Sequence, residues 1–526
     1  MSWKNVSGVG LATALLTLLT TMGLPAQEEA GEYRVGQALP PEVEGRPLVS
    51  MTLDEAMARA LERNLDIQTA RLNPRIQEYN MVAARAAFDP TVSSTLGYNN
   101  STNRSTSQLD GGQQIETERH TYNASVTQPL PWYGGQFSAD FNNGRTETTN
   151  SFATLNPSYS STLSLSYSQP LLEGLKTDSR RTALETQTIQ GQISEIQLDS
   201  REENIKSQVR RAYWALRATI DQIEIQRRSL AQARQLLEQN RVRVSLGTMS
   251  ELQVVQAEAQ VASAEQALLN AEIQWRNQEL AFKSLMVDGP DDPLFRETVN
   301  PTELPAMDAP AVDIEAAVDT AMARRTDLRQ QRRQLQITEL ELAVTRNGTL
   351  PSLDLSAGYS LRGVGGDLYQ RSGLGGDAQL VDQGGYMDGL TSIWERETPT
   401  WNLSLNFSYP IGNRAAEASL ERAQLQRRQT ELGLRSQELA VVTQVTDAGL
   451  AVRDTYLQLQ AATRSREVAE RSAEIELKRF EVGAATNYEV MLAQNSLTSA
   501  RLSELRALID HANSVAEFER VQRAGS

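Results

Sequence analysis

No set of residues in this chain is spaced for covalent or metal chemistry. No cysteine occurs among the 526 residues. That removes disulfides, thiol nucleophiles, thiolate metal sites and a lipid-modified cysteine at a processed N-terminus. The two histidines, His120 and His511, stand alone in polar surroundings and read as surface side chains, not ligands. Gly363-Val-Gly-Gly366 and the stretch from Gly373 to Gly376 have a superficial likeness to a phosphate loop. They fall in a Gly-rich loop between strands, from about Gly363 to Gly389, with no helix following, so a flexible loop is the expectation. No nucleophile and base stand at telling spacing. The residues point away from an enzyme, and no catalytic residue, cofactor or metal is expected.

The elements around these positions say more. Leu53-Asp-Glu-Ala-Met, Asn64-Leu-Asp-Ile, Asp89-Pro90-Thr-Val and Leu96-Gly-Tyr98 recur as Ile314-Glu-Ala-Ala-Val, Arg325-Thr-Asp-Leu, Leu350-Pro351-Ser-Leu and Ala357-Gly-Tyr359, at a constant offset of 261. Downstream, Tyr167-Ser-Gln-Pro170-Leu matches Phe407-Ser-Tyr-Pro410-Ile at 240, and Arg243-Val-Ser-Leu-Gly247 matches Arg479-Phe-Glu-Val-Gly483 at 236. A unit is duplicated, and its length differences fall between the matched segments, as loops would.

The N-terminus reads as a secretory signal over 1–26: Lys4, an apolar stretch from about Val9 to Met22, then Leu24-Pro-Ala26. The apolar run is shorter than the ~20 residues of a spanning helix, and no longer one follows, so an exported chain without a helical anchor is expected. A net charge of −15 argues against nucleic acid, which is bound by basic surface.

After each N-terminal helical stretch the hydrophobic period changes to two. Val92, Leu96 and Tyr98 alternate with Thr91, Ser93, Thr95 and Gly97, and Leu163, Leu165 and Tyr167 alternate with Ser and Thr. Trp401, Leu403, Leu405, Phe407 and Tyr409 alternate with Asn402, Ser404, Asn406 and Ser408, and are expected to face lipid. Strands of ~10 residues with one apolar, aromatic-ended face and one Ser/Thr/Asn face suit a barrel in an outer membrane with a wet lumen. A soluble β-sandwich shares the alternation, but not the long helices that these strands interrupt. Four strands are expected in the first copy, near 91–100, 119–129, 135–147 and 160–170, and two in the second, near 352–361 and 400–409. Whether 119–147 is barrel wall or a separate hairpin stays open, as does a count of six strands or four.

From Thr182 to Leu246 and from about Ala415 to Phe480, apolar residues recur at steps of three and four without proline. At 1.5 Å per residue, ~65 residues reach roughly 100 Å, more than one compact domain buries. Gly247 and Gly483 are placed to close these helices, and Thr248-Met-Ser-Glu251 and Thr486-Asn-Tyr-Glu489 read as capping boxes opening return helices. The expected organisation is a signal peptide (1–26), an extension (27–50), a first repeat (51–287) and a second repeat (313–522). The first repeat has strands within 91–172 and a helical hairpin over 175–286, and the second has strands within 351–411 and a hairpin over 412–521. Between them, the proline-rich linker 288–312 is expected to be an extended strap on the outside.

In this order and duplication, Leu53-Asp-Glu-Ala with Asn64, the Pro90 and Pro351 strand entries, the Pro170 and Pro410 strand exits, and the Gly247 and Gly483 tips resemble the TolC family of outer-membrane efflux proteins. The resemblance covers about 51–522. It implies a mainly α fold with transmembrane β: a homotrimer whose strands pool into one β-barrel and whose helices form a hollow barrel crossing the periplasm. It also implies a passive duct, fed by an inner-membrane pump through a periplasmic adaptor that contacts the tips around Arg243, Leu246, Gly247, Thr248, Arg479, Gly483, Ala484 and Thr486. Glu489 matches the family's acidic gate ring, and a capping role competes for it. Other latch positions depart from the family, with Leu492, Ala485 and Phe480 where an acid, an arginine and a tyrosine are expected. An entrance held by packing of Phe480, Val482 and Leu492 with one carboxylate ring is therefore the expectation. A periplasmic coiled-coil adaptor or spacer without a pore is the alternative.

Overall fold

In the computed structural model, residues 35–106, 112–305, 311–373 and 376–525 are described. The expected signal peptide lies outside them, as do 27–34 of the extension and 306–310 of the linker. The chain runs β1 (Leu48–Met51), α1 (Leu53–Arg63), α2 (Leu65–Arg85), β2 (Thr91–Arg104), β3 (Gln114–Pro129), β4 (Gln136–Thr148), β5 (Leu155–Pro170), α3 (Ser179–Ser245) and α4 (Glu251–Ser284). It continues through β6 (Thr298–Pro301), α5 (Ile314–Arg324), α6 (Thr326–Asn347), β7 (Ser352–Arg371), β8 (Ala378–Asp382), α7 (Tyr386–Trp394), β9 (Pro399–Ser408), α8 (Arg414–Glu481) and α9 (Asn487–Val521).

Local chemistry sets the helix ends. Thr52 and Glu55 close a capping box on α1. Asn64 then interrupts the helix in an extended conformation, accepts from the Asp66 and Ile67 N–H groups to open α2, and donates to the Leu285 carbonyl at the end of α4. At the offset of 261 its counterpart is Arg325, which breaks α5 from α6 at the same point and donates to the Val521 carbonyl at the end of α9. Each repeat thus fixes its short helices to the last carbonyls of its return helix, where a polar donor is favoured.

The 67 residues of α3 extend roughly 100 Å at 1.5 Å per residue. α3 packs against α4 and α9, and α9 against α8, so the long helices stand in the row α4, α3, α9, α8. Nearer the sheet, α2 covers α3 and α6 lies against both α3 and α8. One core joins Ile205, Val209, Tyr213 and Leu216 of α3 with Ala56, Ile67, Trp275, Phe282 and Val299. A smaller one joins Ala317, Ala321 and Leu328 with Val441, Val445 and Val521.

The linker is not an outside strap. Its β6 pairs in parallel with β1, Val49 opposite Val299, and all four β6 residues are buried. Buried polar groups on the long helices explain the capture. Glu279, paired with Lys283, accepts from the Val299 N–H at 3.0 Å. The Tyr213 hydroxyl donates to the Met51 carbonyl and accepts from the Glu303 N–H, both at 3.0 Å. Arg217 pairs with Asp221 at 3.0 Å and donates to the Pro301 and Ala38 carbonyls, while Asp221 accepts from the Gly36 N–H. These groups satisfy backbone N–H and C=O groups of the buried strap and of the segments beside it.

Three other expectations are corrected. His511 is buried, with Nδ1 3.2 Å from the Thr455 hydroxyl, because it falls on the inward side of α9 with Leu508 and Ala512. His120 is half-buried between the Tyr98 and Tyr122 rings. Gly363 to Gly366 are part of β7, not a loop, and α7 follows them. A side chain at Gly363 or Gly365 would strike the α7 backbone at Gly389 or Gly385, so the glycines seat that helix.

Replacing Asp221 by Ala leaves Arg217 charged and buried, and is expected to cost about 3–5 kcal/mol of helical-domain stability. Urea unfolding followed by circular dichroism measures it; a loss below about 1 kcal/mol, the size of a surface pair, would contradict this account of the strap.

Candidate duct wall and hairpin tips

Seven strands form one antiparallel sheet in the order β2, β3, β4, β5, β7, with β8 and β9 both on the far side of β7. β9 pairs with Ser352–Leu361 and the short β8 with the segment Leu368–Arg371. Six strands are long, and the hairpin near 119–147 is continuous with the rest.

Register carries one chemistry along each face. On one, Val92 opposes Val126, then Ala139, Leu165, Tyr359 and Trp401 follow across the six long strands. On the other, Thr91 opposes Thr127, followed by Ser138, Ser166, Gly358 and Asn402. Trp401 is 78 % exposed, and Leu403, Leu405, Phe407 and Tyr409 continue its side of β9 and the residue after it. An apolar surface of this breadth, backed by hydroxyls and amides, suits lipid outside and water inside. The sheet of one chain ends at β2 and β9, whose residues are nearly all exposed.

At the other end of the long helices, both hairpins close by one device. Gly247 (φ 71°) and Gly483 (φ 77°) take the left-handed conformation. The Thr248 N–H donates to the Arg243 carbonyl at 3.0 Å and the Ala484 N–H to the Arg479 carbonyl at 2.7 Å, the six-to-one bond of a Schellman cap. The Thr248 hydroxyl also donates to the Arg243 carbonyl, and Ser250 caps α4, so the expected Thr248 to Glu251 capping box is replaced. The second box forms: Glu489 Oε2 accepts from the Thr486 N–H at 2.6 Å and hydroxyl at 2.8 Å. Leu246, Gly247, Thr248, Gly483, Ala484 and Thr486 are exposed, and Arg479, also exposed, pairs with Glu476 at 2.8 Å.

The two tips are pinned together within one chain. Phe480 is buried against Leu236 and Val490, and the Arg243 guanidinium lies 4.1 Å from its ring centroid while donating to its carbonyl at 3.1 Å. Asn240 donates to Asn487 Oδ1 at 2.9 Å, both side chains buried. Within one chain Val482 and Leu492 are exposed and Phe480 is buried, its ring bridging the two hairpins. Asn240, Asn487 and the exposed Tyr488 were missed. No repeat marks the asparagine pair, since Glu251 stands where Asn487 would recur at the offset of 236.

The Thr486 N–H, and next the Thr486 hydroxyl, hold the Glu489 carboxyl below its ordinary value of 4.5, with Arg479 adding attraction. The folded state lowers this pKa, so the cap contributes fully above 4.5 and is lost as pH falls through the native value. Amide protection at Thr486, whose N–H the carboxylate accepts, is expected to hold at neutral pH and to be lost on acidification through that lowered value. Hydrogen exchange of wild type beside Glu489→Gln measures this; equal pH dependence in both would contradict it.

No curated protein matches the chain. Solved structures match its fold along most of its length. The CmeC outer membrane channel of Campylobacter jejuni superposes with TM-score 0.62 at 15 % identity, covering 89 % of this chain and 85 % of that one. The outer membrane protein VceC of Vibrio cholerae gives 0.62 at 15 %, covering 90 % and 96 %. The MtrE outer membrane channel of Neisseria gonorrhoeae, in its open state, gives 0.59 at 18 %, covering 90 % and 89 %. The family model described as outer membrane efflux protein matches residues 136–286 and 317–520, more than half of the sequence. With its lipid-suited sheet and duplicated long hairpins, the chain belongs to the outer membrane efflux protein family.

Proposed function

We infer that the chain is an outer-membrane exit duct of a tripartite efflux or type I secretion assembly, extending into the periplasm and conducting substrate passively from an inner-membrane pump and its adaptor. The observation that carries this reading is the continuous two-faced sheet mounted on helices of 67 and 68 residues. A spacer that never entered a bilayer would have no use for the apolar face.

The working unit is a homotrimer. The unpaired edges β2 and β9 lie at opposite ends of the sheet, and α4 and α8 at opposite ends of the helix row. Both outer helices present apolar residues to solvent in one chain, Leu425, Leu432 and Leu439 at steps of seven on α8 and Leu269, Ile273 and Leu280 on α4. Joining β9 of one copy to β2 of the next, and α8 to α4, is a head-to-tail contact that closes as a ring.

The tips meet the adaptor through Arg243, Leu246, Gly247, Thr248, Arg479, Gly483, Ala484 and Thr486. Leu246, 72 % exposed, supplies the apolar contact at one tip. At the second tip Glu489 lines the entrance with Val482 and Leu492, and Phe480 acts from behind by fixing the two hairpins. The cap engages one carboxylate oxygen, Oε2, so capping and a ring of charge are compatible.

Single-channel recording tests this entrance. Glu489→Ala is expected to weaken block by divalent cations on the periplasmic side at least several-fold. Phe480→Ala, which removes a buried ring worth about 3–5 kcal/mol, is expected to raise the time spent conducting. Unchanged block in the first variant would remove Glu489 from the entrance, and unchanged gating in the second would remove Phe480.

A further inference from the structure

The repeats make the first copy's share of the wall larger than the second's. At the offset of 261, Thr91 at the start of β2 corresponds to Ser352 at the start of β7; at 240, Pro170 closing β5 corresponds to Pro410 after β9. Between these equivalent strands the second copy has only the short β8 and α7, whereas the first has the long β3 and β4. We propose that the β3–β4 hairpin is an insertion into the wall itself, so that three copies build a barrel of eighteen long strands, where the repeat-equivalent strands alone would give twelve. This rests on the trimeric duct reading above.

Three observations place the hairpin in the wall. Its residues continue both faces, with Val126, Ala139 and Phe141 on the apolar side and Ser125, Ser138 and Asn142 on the polar side. Its turn is fastened to the neighbouring strand, where Gln169 donates to the Tyr133 carbonyl at 2.7 Å, and it exposes Trp132 and Tyr133 at the end where an aromatic girdle belongs. The insertion also leaves the remaining strands in phase. Val92 reaches Leu165 through Val126 and Ala139, so without the hairpin β2 would oppose β5 with both apolar faces still on one side.

The consequence is functional. Barrel diameter grows roughly linearly with strand number, so eighteen strands make the exit about half as wide again as twelve. The helical duct, with four long helices from each chain, gains nothing from the insertion. The outer exit is therefore wider than the repeat alone would provide. With a Ser/Thr/Asn lining, it suits bulky hydrated cargo, and selection by size moves to the helical end.

The absence of cysteine gives a clean background for the test. In full-length protein reconstituted in vesicles, with chains first counted by cross-linking, Asn142→Cys is expected to react with a charged, water-soluble thiol reagent. Phe141→Cys is expected to react at least tenfold more slowly, and to be reached by a lipid-soluble one. Deleting 105–154 leaves Thr102 opposite Leu155 across a two-residue turn, and is expected to lower the radius of polyethylene glycol admitted from the outer side by about one third. Fewer or more than three cross-linked chains would undo the trimeric reading. Trimers in which both cysteines react alike, or in which the folded deletion variant admits the same polymers, would overturn the eighteen-stranded wall.

Discussion

A sheet in hydrocarbon has no water to satisfy its edges, and everything else in this molecule is arranged around that constraint. Seven of the described strands form this sheet, and the outer edges of β2 and β9 have no partner within the chain. In lipid their outer edges need partners, which the proposed trimer supplies by joining β9 of one copy to β2 of the next. The helix row follows the same logic: its outer members α4 and α8 carry apolar stripes that the single chain leaves bare.

Duplication supplies this arrangement with little new chemistry. Asn64 and Arg325 differ in every property except the ability to donate to a helix-terminal carbonyl, and they hold equivalent joints. Gly247 and Gly483 close their hairpins through the same pair of backbone bonds. Where the copies diverge, the difference has a physical use. The first copy carries the strap site around Arg217, Asp221, Glu279 and Lys283, and the second carries the glycine-seated α7. The side chains that join the two tips, Phe480, Arg243 and the Asn240–Asn487 pair, arise between the copies and belong to neither alone.

Much of this was legible in the sequence. Period-two alternation located the long strands, near-heptad spacing located the long helices, and tip glycines located the hairpin ends, because each is a local rule. What failed was decided by distant partners. The prolines between the repeats suggest an exposed strap, yet Glu279 and Tyr213 draw that segment into a buried parallel pair. Gly363 and Gly365 look like loop residues until α7 is laid across them. His511 looks solvated until α8 is packed on α9. The number of wall strands was open for the same reason: alternation shows that a strand has two faces, and only register shows that six of them share one.

The most direct test is the mass of the mature protein, extracted from membranes in detergent and measured intact in the gas phase. Closure of the sheet through β9 and β2 predicts a particle of three chains that survives mild detergent. A stable particle of one chain with its sheet folded would contradict the account, because the open edges would then have been satisfied without a neighbour.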